Sequence, residues 1–250
     1  MPLSPQRVLG VKRYAMYFDG IDDRIIVPLS SSLNFTQPTT LEIWLAVDGF
    51  GSGLWPGVVR NLPKFNIYIN VDIYSKNPGT YPVPPLELNA KDSANKSIWL
   101  WRCTYVWNTF FHVVLTYDGS VGKMYVNGSL FGSISISTTM QSPTESMYIG
   151  YNNTYFKGRI YRVSYYNRAL SNDEILKMYR DPYSVPTDGL RLWLQAHPDN
   201  IKDIDNDGIL EWIDLSGNDN HGKIYGAVLI KLVRDPVAVS PSKRILSVVR

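Results

Sequence analysis

FHVVLTYDGSVGKMYVNGSLFGSIS, residues 111–135, is the stretch on which the reading of the fold turns. Runs of apolar side chains, alternating with polar ones in places, fill Phe111–Tyr117, Lys123–Val126 and Ser129–Ser135, as expected of strands that bury at least one face. Between the last two strands stands Asn127-Gly128. Both residue types tolerate positive φ, which a two-residue type I′ hairpin requires at both central positions.

Working outward, similar short runs bounded by Gly, Pro, Asn and Asp recur along the chain. Strands are expected at Tyr14–Phe18, Arg24–Pro28, Leu41–Val47, Gly57–Arg60, Phe65–Tyr74, Ser97–Trp107, Met147–Tyr151 and Lys157–Tyr166. With the central three this makes eleven, and the fold class that follows is all-β, a two-sheet antiparallel jelly-roll sandwich. One helix is expected over Ser171–Arg180, with Ser171 as N-cap and Glu174 closing a capping box before Asp181-Pro182 ends it. Trp44, Trp107 and Trp193 lie in apolar alternation and are assigned to the core.

Composition agrees. Hydrophobic residues make up 44% of the 250, enough to exclude disorder, and charged residues only 19%, too few for a coiled coil. The balance of 25 basic against 22 acidic residues contains no basic block, which argues against a nucleic-acid partner. No run of 18 apolar residues appears, so no membrane insertion is expected, and the N-terminal residues do not read as a secretory signal. Cys103, the single cysteine, sits in an apolar run and reads as a small buried hydrophobe.

Four regions are expected: a sandwich over 1–182, a linker over 183–188, a partial second unit over 189–235 and a C-terminal arm over 236–250. The second unit is too short for a core of its own, so it must dock on the sandwich or on another chain. The arm alternates apolar residues and could add a strand to a neighbour or remain a free terminus. The proline-rich stretch Ser75–Asp92 reads as a long stiffened loop.

The order of motifs from Ala15 to Tyr179 resembles the LamG-like (laminin G-like) jelly-roll domains of the concanavalin A-like lectin/glucanase superfamily. The resemblance is carried by AMYFDGIDDRIIVP (15–28), SSLN (31–34), TLEIW (40–44), Trp107 with FHVVLTYDG (111–119), MYVNG (124–128) and FKGRIYRVSYYNRALSNDEI (156–175). WIDLSGNDNHG (212–222) resembles a phrase that recurs in such modules, which makes the second unit look like the truncated start of another. The resemblance implies a fold more than a function, since these sandwiches host lectins, adhesion modules, structural domains and glycoside hydrolases alike. It also implies a rim calcium site, for which Asp19, Asp22, Asp23 and Asp118 are the nearest acids. Tyr161 and Arg162 stand where many relatives carry acidic residues, and Asp19-Gly20 and Asp118-Gly119 equally suit plain turns.

Three further features bear on function. DIDNDGILEWID, residues 203–214, puts Asp203, Asp205, Asp207, the Ile209 carbonyl, Glu211 and Asp214 at positions 1, 3, 5, 7, 9 and 12 of an EF-hand-like loop, and Ca²⁺ is the expected cofactor. A solvated Asp-rich turn is the plainer alternative. Trp55, Tyr74 and Tyr81 fall in rim loops and are the expected ligand contacts, because exposed aromatic rings stack on sugars. Only five Glu occur, none with a carboxylate two or four residues away on an expected strand, and the three His serve no recognised catalytic spacing. The sequence therefore reads as non-enzymatic.

Two functions fit. One is a recognition or adhesion module that binds a glycan or a surface protein at a cell or particle surface, outside the cell. The other is a structural or assembly protein of a virion or appendage, using residues 189–250 to dock or to form homo-oligomers. Four sequons, at Asn34, Asn95, Asn127 and Asn152, bear on neither reading unless the chain meets a glycosylating compartment.

Overall fold

The computed structural model describes residues 14–33, 38–49, 51–52, 57–61, 68–73, 85–91, 97–104, 108–135 and 145–232, with side chains described outside 61–107. In chain order the strands are β1 (Tyr14–Asp19), β2 (Arg24–Val27), β3 (Thr39–Val47), β4 (Gly57–Asn61), β5 (Tyr68–Ile73), β6 (Pro85–Lys91), β7 (Ser97–Thr104), β8 (Phe111–Tyr117), β9 (Val121–Val126), β10 (Ser129–Ser135), β11 (Met147–Ile149) and β12 (Lys157–Tyr166). Helix α1 (Asn172–Arg180) follows, then β13 (Leu190–Gln195), β14 (Ile201–Lys202), β15 (Glu211–Trp212), β16 (Gly222–Tyr225) and β17 (Val228–Lys231). Among the described residues no helix is long and apolar enough to cross a membrane.

The strand pairs of the described residues are antiparallel, and they form two sheets. Sheet A runs β10-β9-β8-β3-β12-β1-β17, with β13 also on β12. Sheet B runs β14-β15-β16-β2-β11-β4-β5-β6-β7. The inner faces meet in one core that includes Met16, Phe18, Ile25, Val27, Ile43 and Leu45. This is a concanavalin A-like sandwich. The hairpin expected from Asn127-Gly128 is present, with φ of 50° and 75° at the two residues.

One stretch departs from the sequence reading. Residues 85–91, placed in the proline-rich loop, form β6, paired with β5 on one side and β7 on the other. Pro85 is the first residue of that strand, a place that tolerates the missing N–H, and Leu86, Leu88 and Ala90 then alternate with Glu87, Asn89 and Lys91. The density of prolines before it masked that alternation. Trp107 lies outside the described residues, whereas Trp44 is fully buried and Trp193 packs half-buried against the cluster beneath the helix.

The two sheets are covered unequally. On the outer face of sheet A, α1 and its flanks bury Val114, Tyr125, Tyr166, Ile175 and Met178, and β3 is buried along its whole length. Ser171 and Glu174 form the expected capping box, and Arg168 grips the Glu174 carboxylate at 2.6 and 3.0 Å. That grip, ahead of partial burial, which opposes it, holds the Glu174 carboxyl at about 2.

Residues 190–231 fold onto the chain's own sandwich. β13 pairs with the second half of β12, β17 flanks β1, and β14, β15 and β16 extend sheet B beyond β2. Leu192, Leu194 and Trp212 thereby enter the main core. The arm over 236–250 lies outside the described residues. Because Trp212 is fully buried in the shared core, Trp212→Ala is expected to destabilise the whole sandwich by about 3–5 kcal/mol. Urea unfolding followed by fluorescence and by circular dichroism should show one coincident transition at a lower midpoint. A second transition, with the main sandwich unchanged, would mean that residues 190–231 are an appendage.

Candidate functional site: an open sheet face and its acidic loops

The constellation that most resembles catalytic chemistry is closed to solvent. Glu42 on β3 accepts from Arg162 Nε (3.1 Å) and Nη2 (2.7 Å), from Ser164 Oγ (2.6 Å) and from His112 Nε2 (3.1 Å). All four residues are fully buried, Arg162 also donates to the Pro182 carbonyl, and the His112 ring lies near-parallel to Trp44 and Tyr179, which also contact each other. Burial by itself would raise the Glu42 carboxyl; the Arg162 guanidinium and the His112 hydrogen bond overcome it and hold Glu42 at about 2. Burial pushes His112 down, and its buried Nδ1 has no hydrogen-bond partner, as suits a neutral ring rather than an imidazolium. The cluster is an internal pin that ties β3, β8 and β12 to the chain leaving α1.

Among the described residues, the outer face of sheet B is the more open of the two. On β2 the inward Ile25 and Val27 leave Arg24 and Ile26 outward; on β11 the inward Met147 and Ile149 leave Tyr148 outward. Strand register aligns Lys223, Ile26, Tyr148 and Arg60 in one row across β16, β2, β11 and β4, and sets Arg24 beside Tyr225. The Arg24 guanidinium lies 4.9 Å from the Tyr225 ring centre. Tyr148 contacts Tyr151 (5.7 Å between ring centres), which contacts Tyr155 (4.9 Å), so three rings form one continuous aromatic surface. Arg60 Nη1 donates to Asn153 Oδ1 at 3.3 Å in the same loop.

Sequence reasoning missed this face. The expected contacts Trp55, Tyr74 and Tyr81 lie outside the described residues. Alternation along β2, β11 and β16 marks each outward residue singly, but the register that sets them side by side joins residues more than a hundred positions apart.

The Asp-rich loop closes over one end of the face. Asp203, Asp205 and Glu211 each bring a carboxylate oxygen within 4.8 Å of the others. Glu211 is buried and accepts from Ile204 N at 3.0 Å, while Asp203 Oδ2 accepts from Gly208 N at 3.1 Å. Asp207 instead accepts from Ile209 N at 2.8 Å and from the Lys223 ammonium, which also reaches Asp205 at 2.9 Å. The Lys223 hydrogen bond, first among several causes, holds Asp207 below the usual carboxylate range, and the paired aspartates hold Lys223 above its own.

Asp214 does not join the loop. It is buried and accepts from Trp193 N (2.8 Å), Ser216 N (2.9 Å), Ser216 Oγ (2.7 Å) and Asn220 N (3.0 Å), so it organises the DLSGN turn and has no free oxygen to face a cation. The Asp203–Glu211 set still fits a hard cation. All its side-chain donors are oxygens, and Asp203 Oδ1 is buried without a hydrogen-bond partner.

The second acidic group is narrower than expected. Asp19, Asp22 and Asp23 gather within 4.8 Å, with the buried Asp23 accepting from Asp19 N at 2.6 Å. Burial pushes Asp23 up, the Asp19 N–H opposes this, and the carboxylates of Asp19 and Asp22 add to it. Asp118 stands apart. Its Oδ1 accepts from Ser120 N (2.9 Å), Ser120 Oγ (2.9 Å) and Val121 N (2.7 Å), a turn-closing role that leaves no place for it in the Asp19 group.

Comparison with known proteins fits this architecture. The family model described as the concanavalin A-like lectin/glucanases superfamily matches residues 19–176. Among curated proteins none matches significantly. A candidate carbohydrate binding protein from Bacteroides ovatus is similar in structure (TM-score 0.64, 16% identity), the match covering 89% of this chain and 61% of that one. A heptameric SAP-like pentraxin from Limulus polyphemus is similar at TM-score 0.52 and 12% identity, over 69% of this chain and 84% of that one. The binding domain of botulinum neurotoxin serotype D is similar at TM-score 0.50 and 16% identity, over 66% of this chain and 41% of that one. At these identities the likeness is one of fold.

The buried pin has a pH signature. His112 binds its proton less readily folded than unfolded, so below about pH 6.5 the unfolded chain takes up more protons and stability declines as pH falls. Glu42, held at about 2 when folded, contributes stability above the free carboxyl value of about 4.3 that is lost as pH drops from there toward 2. The urea midpoint is expected to fall between pH 7 and 5, and the His112 ring to keep its neutral-form chemical shifts at pH 6. An imidazolium spectrum at pH 6 would contradict the assignment.

Proposed function

This chain belongs to the concanavalin A-like lectin/glucanase superfamily, and from that premise we propose that it is a non-catalytic recognition module that binds carbohydrate on the open face of sheet B. The observation that carries the reading is the unequal cover of the sheets. The centre of sheet A is covered by α1, whereas sheet B offers half-buried tyrosines beside cationic side chains, the usual make-up of a sugar site: apolar walls with a few placed polar groups. The burial of Glu42 supports a module without hydrolase chemistry, because a glycosidic oxygen has no approach to it. Such a module works outside the cell, at a cell or particle surface.

We further assign Ca²⁺ to the loop at the end of this face, with Asp203, Asp205 and Glu211 as the side chains that would hold it. The ion would supply charge neutralisation and fix the loop against β15. Lys223 would have to leave Asp205 for that to happen, so the ammonium and the metal compete for the same carboxylates.

A glycan array in millimolar Ca²⁺ and again in EDTA tests the first proposal. Saturable binding to a glycan class is expected, and silence in both buffers would overturn it. Calorimetry with Ca²⁺ alone tests the second. Asp203→Asn is expected to weaken Ca²⁺ binding by about tenfold or more, and Lys223→Met to tighten it several-fold. For the wild type, Ca²⁺ at a hundred times its Kd should add about 2.7 kcal/mol of stability. No heat and no change in melting temperature would remove calcium from the loop.

A further inference from the structure

We infer that the ligand of this face is an acidic saccharide, its sugar ring lying on Tyr148, Tyr151 and Tyr155 and its anionic group on the Arg60 guanidinium. The inference rests on the proposed glycan-binding role and adds the charge of the ligand and the residue that reads it.

Arg60 differs from the arginines that pair with acids, and its unpaired Nε also separates it from Arg24 on the same face. Arg159 sits on Asp48 at 2.5 and 2.6 Å, Arg162 on Glu42 and Arg168 on Glu174. Among the described residues Arg60 makes one long bond, to the neutral Asn153 side chain, and its buried Nε has no hydrogen-bond partner. A buried N–H of a permanent cation lacking an acceptor is unfavourable, and an oxyanion seated on the accessible end of the guanidinium supplies the countercharge that the neutral Asn153 does not. The guanidinium fork presents parallel donors, a shape that matches a carboxylate or a sulfate.

The neighbours of Arg60 suit a sugar. Register puts Tyr148 directly beside it, which begins the three-ring surface. The loop that carries Asn153 holds a second buried polar atom without a hydrogen-bond partner, Thr154 Oγ1. The carboxylates of the Asp-rich loop do not neutralise this end of the face. They are gathered at Lys223 on β16, three strands from β4 and so about 14 Å away. Tyrosine faces give affinity for the C–H side of any pyranose, while the unmatched guanidinium discriminates in favour of a negative charge.

The test uses the full chain and three probes of equal length: an oligogalacturonate, a sulfated oligoglucan and the unmodified neutral oligoglucan. Binding is measured by calorimetry for the wild type, Arg60→Gln, Tyr151→Ala and Lys231→Gln, the last an exposed charge on the far sheet that controls for net charge. Urea midpoints establish that each variant is folded. The wild type is expected to bind at least one acidic probe about tenfold or more tightly than the neutral one, and which acidic probe wins separates carboxylate from sulfate. Arg60→Gln should abolish that preference while keeping the weak neutral binding, Tyr151→Ala should weaken all probes, and Lys231→Gln should change nothing. Equal binding of neutral and acidic probes, or an acidic preference that survives Arg60→Gln, overturns the inference and leaves the glycan-binding role standing. No binding of any probe, joined to a silent glycan array, overturns both.

Discussion

The buried pair of Glu42 and Arg162 ties together the two central strands of sheet A and anchors the chain that leaves α1. Both charges are fully shielded from water, and each is satisfied several times over: Glu42 by Arg162, Ser164 and His112, and Arg162 by Glu42 and the Pro182 carbonyl. Removing one partner would strand the other in the interior, typically at a cost of about 3–5 kcal/mol, whereas replacing the whole set with apolar groups could be neutral. Its value is therefore positional. The Pro182 contact fixes the chain where it leaves α1, so the helix is held against the centre of sheet A.

The end of the chain completes the molecule rather than adding a domain to it. β12 is ten residues long, and β1 covers only its first half; β13 takes the second. β16 then borders β2, carrying β15 and β14 outward. This arrangement places the Asp-rich loop and the open face in one structure, with Lys223 belonging to both: its backbone lies in the row with Tyr148 and Arg60, and its ammonium lies among the loop carboxylates. Charge in the loop and charge on the face are thus connected through one side chain.

Local chemistry was legible in the sequence wherever it closes within a few residues. Asn127-Gly128 demanded its hairpin because two successive positive φ angles suit few other pairs. The Ser171 and Glu174 capping box, the strand periods and the ordered motifs of the lectin-like family needed no more than neighbouring positions. The same local view failed where a residue's partner lay far off. Asp214 fits the twelfth position of a calcium loop by count, yet backbone N–H groups from Trp193 and Asn220 and the turn at Ser216 claim both its oxygens. Asp118 was grouped with Asp19 by resemblance and closes a turn of its own.

The sequence by itself thus determined the class of fold, the helix and its cap, and the acidic character of the 203–211 loop, because these follow from φ preference, period and charge at short range. Only the tertiary structure decided which sheet α1 covers, that residues 190–231 build both sheets, and that Arg60, with an unpaired N–H, stands beside Tyr148, the first of three contacting tyrosines. Sheet register decides those matters. It joins strands separated by more than two hundred residues, as β1 and β17 are, and no local pattern of side chains encodes which strand will lie beside which.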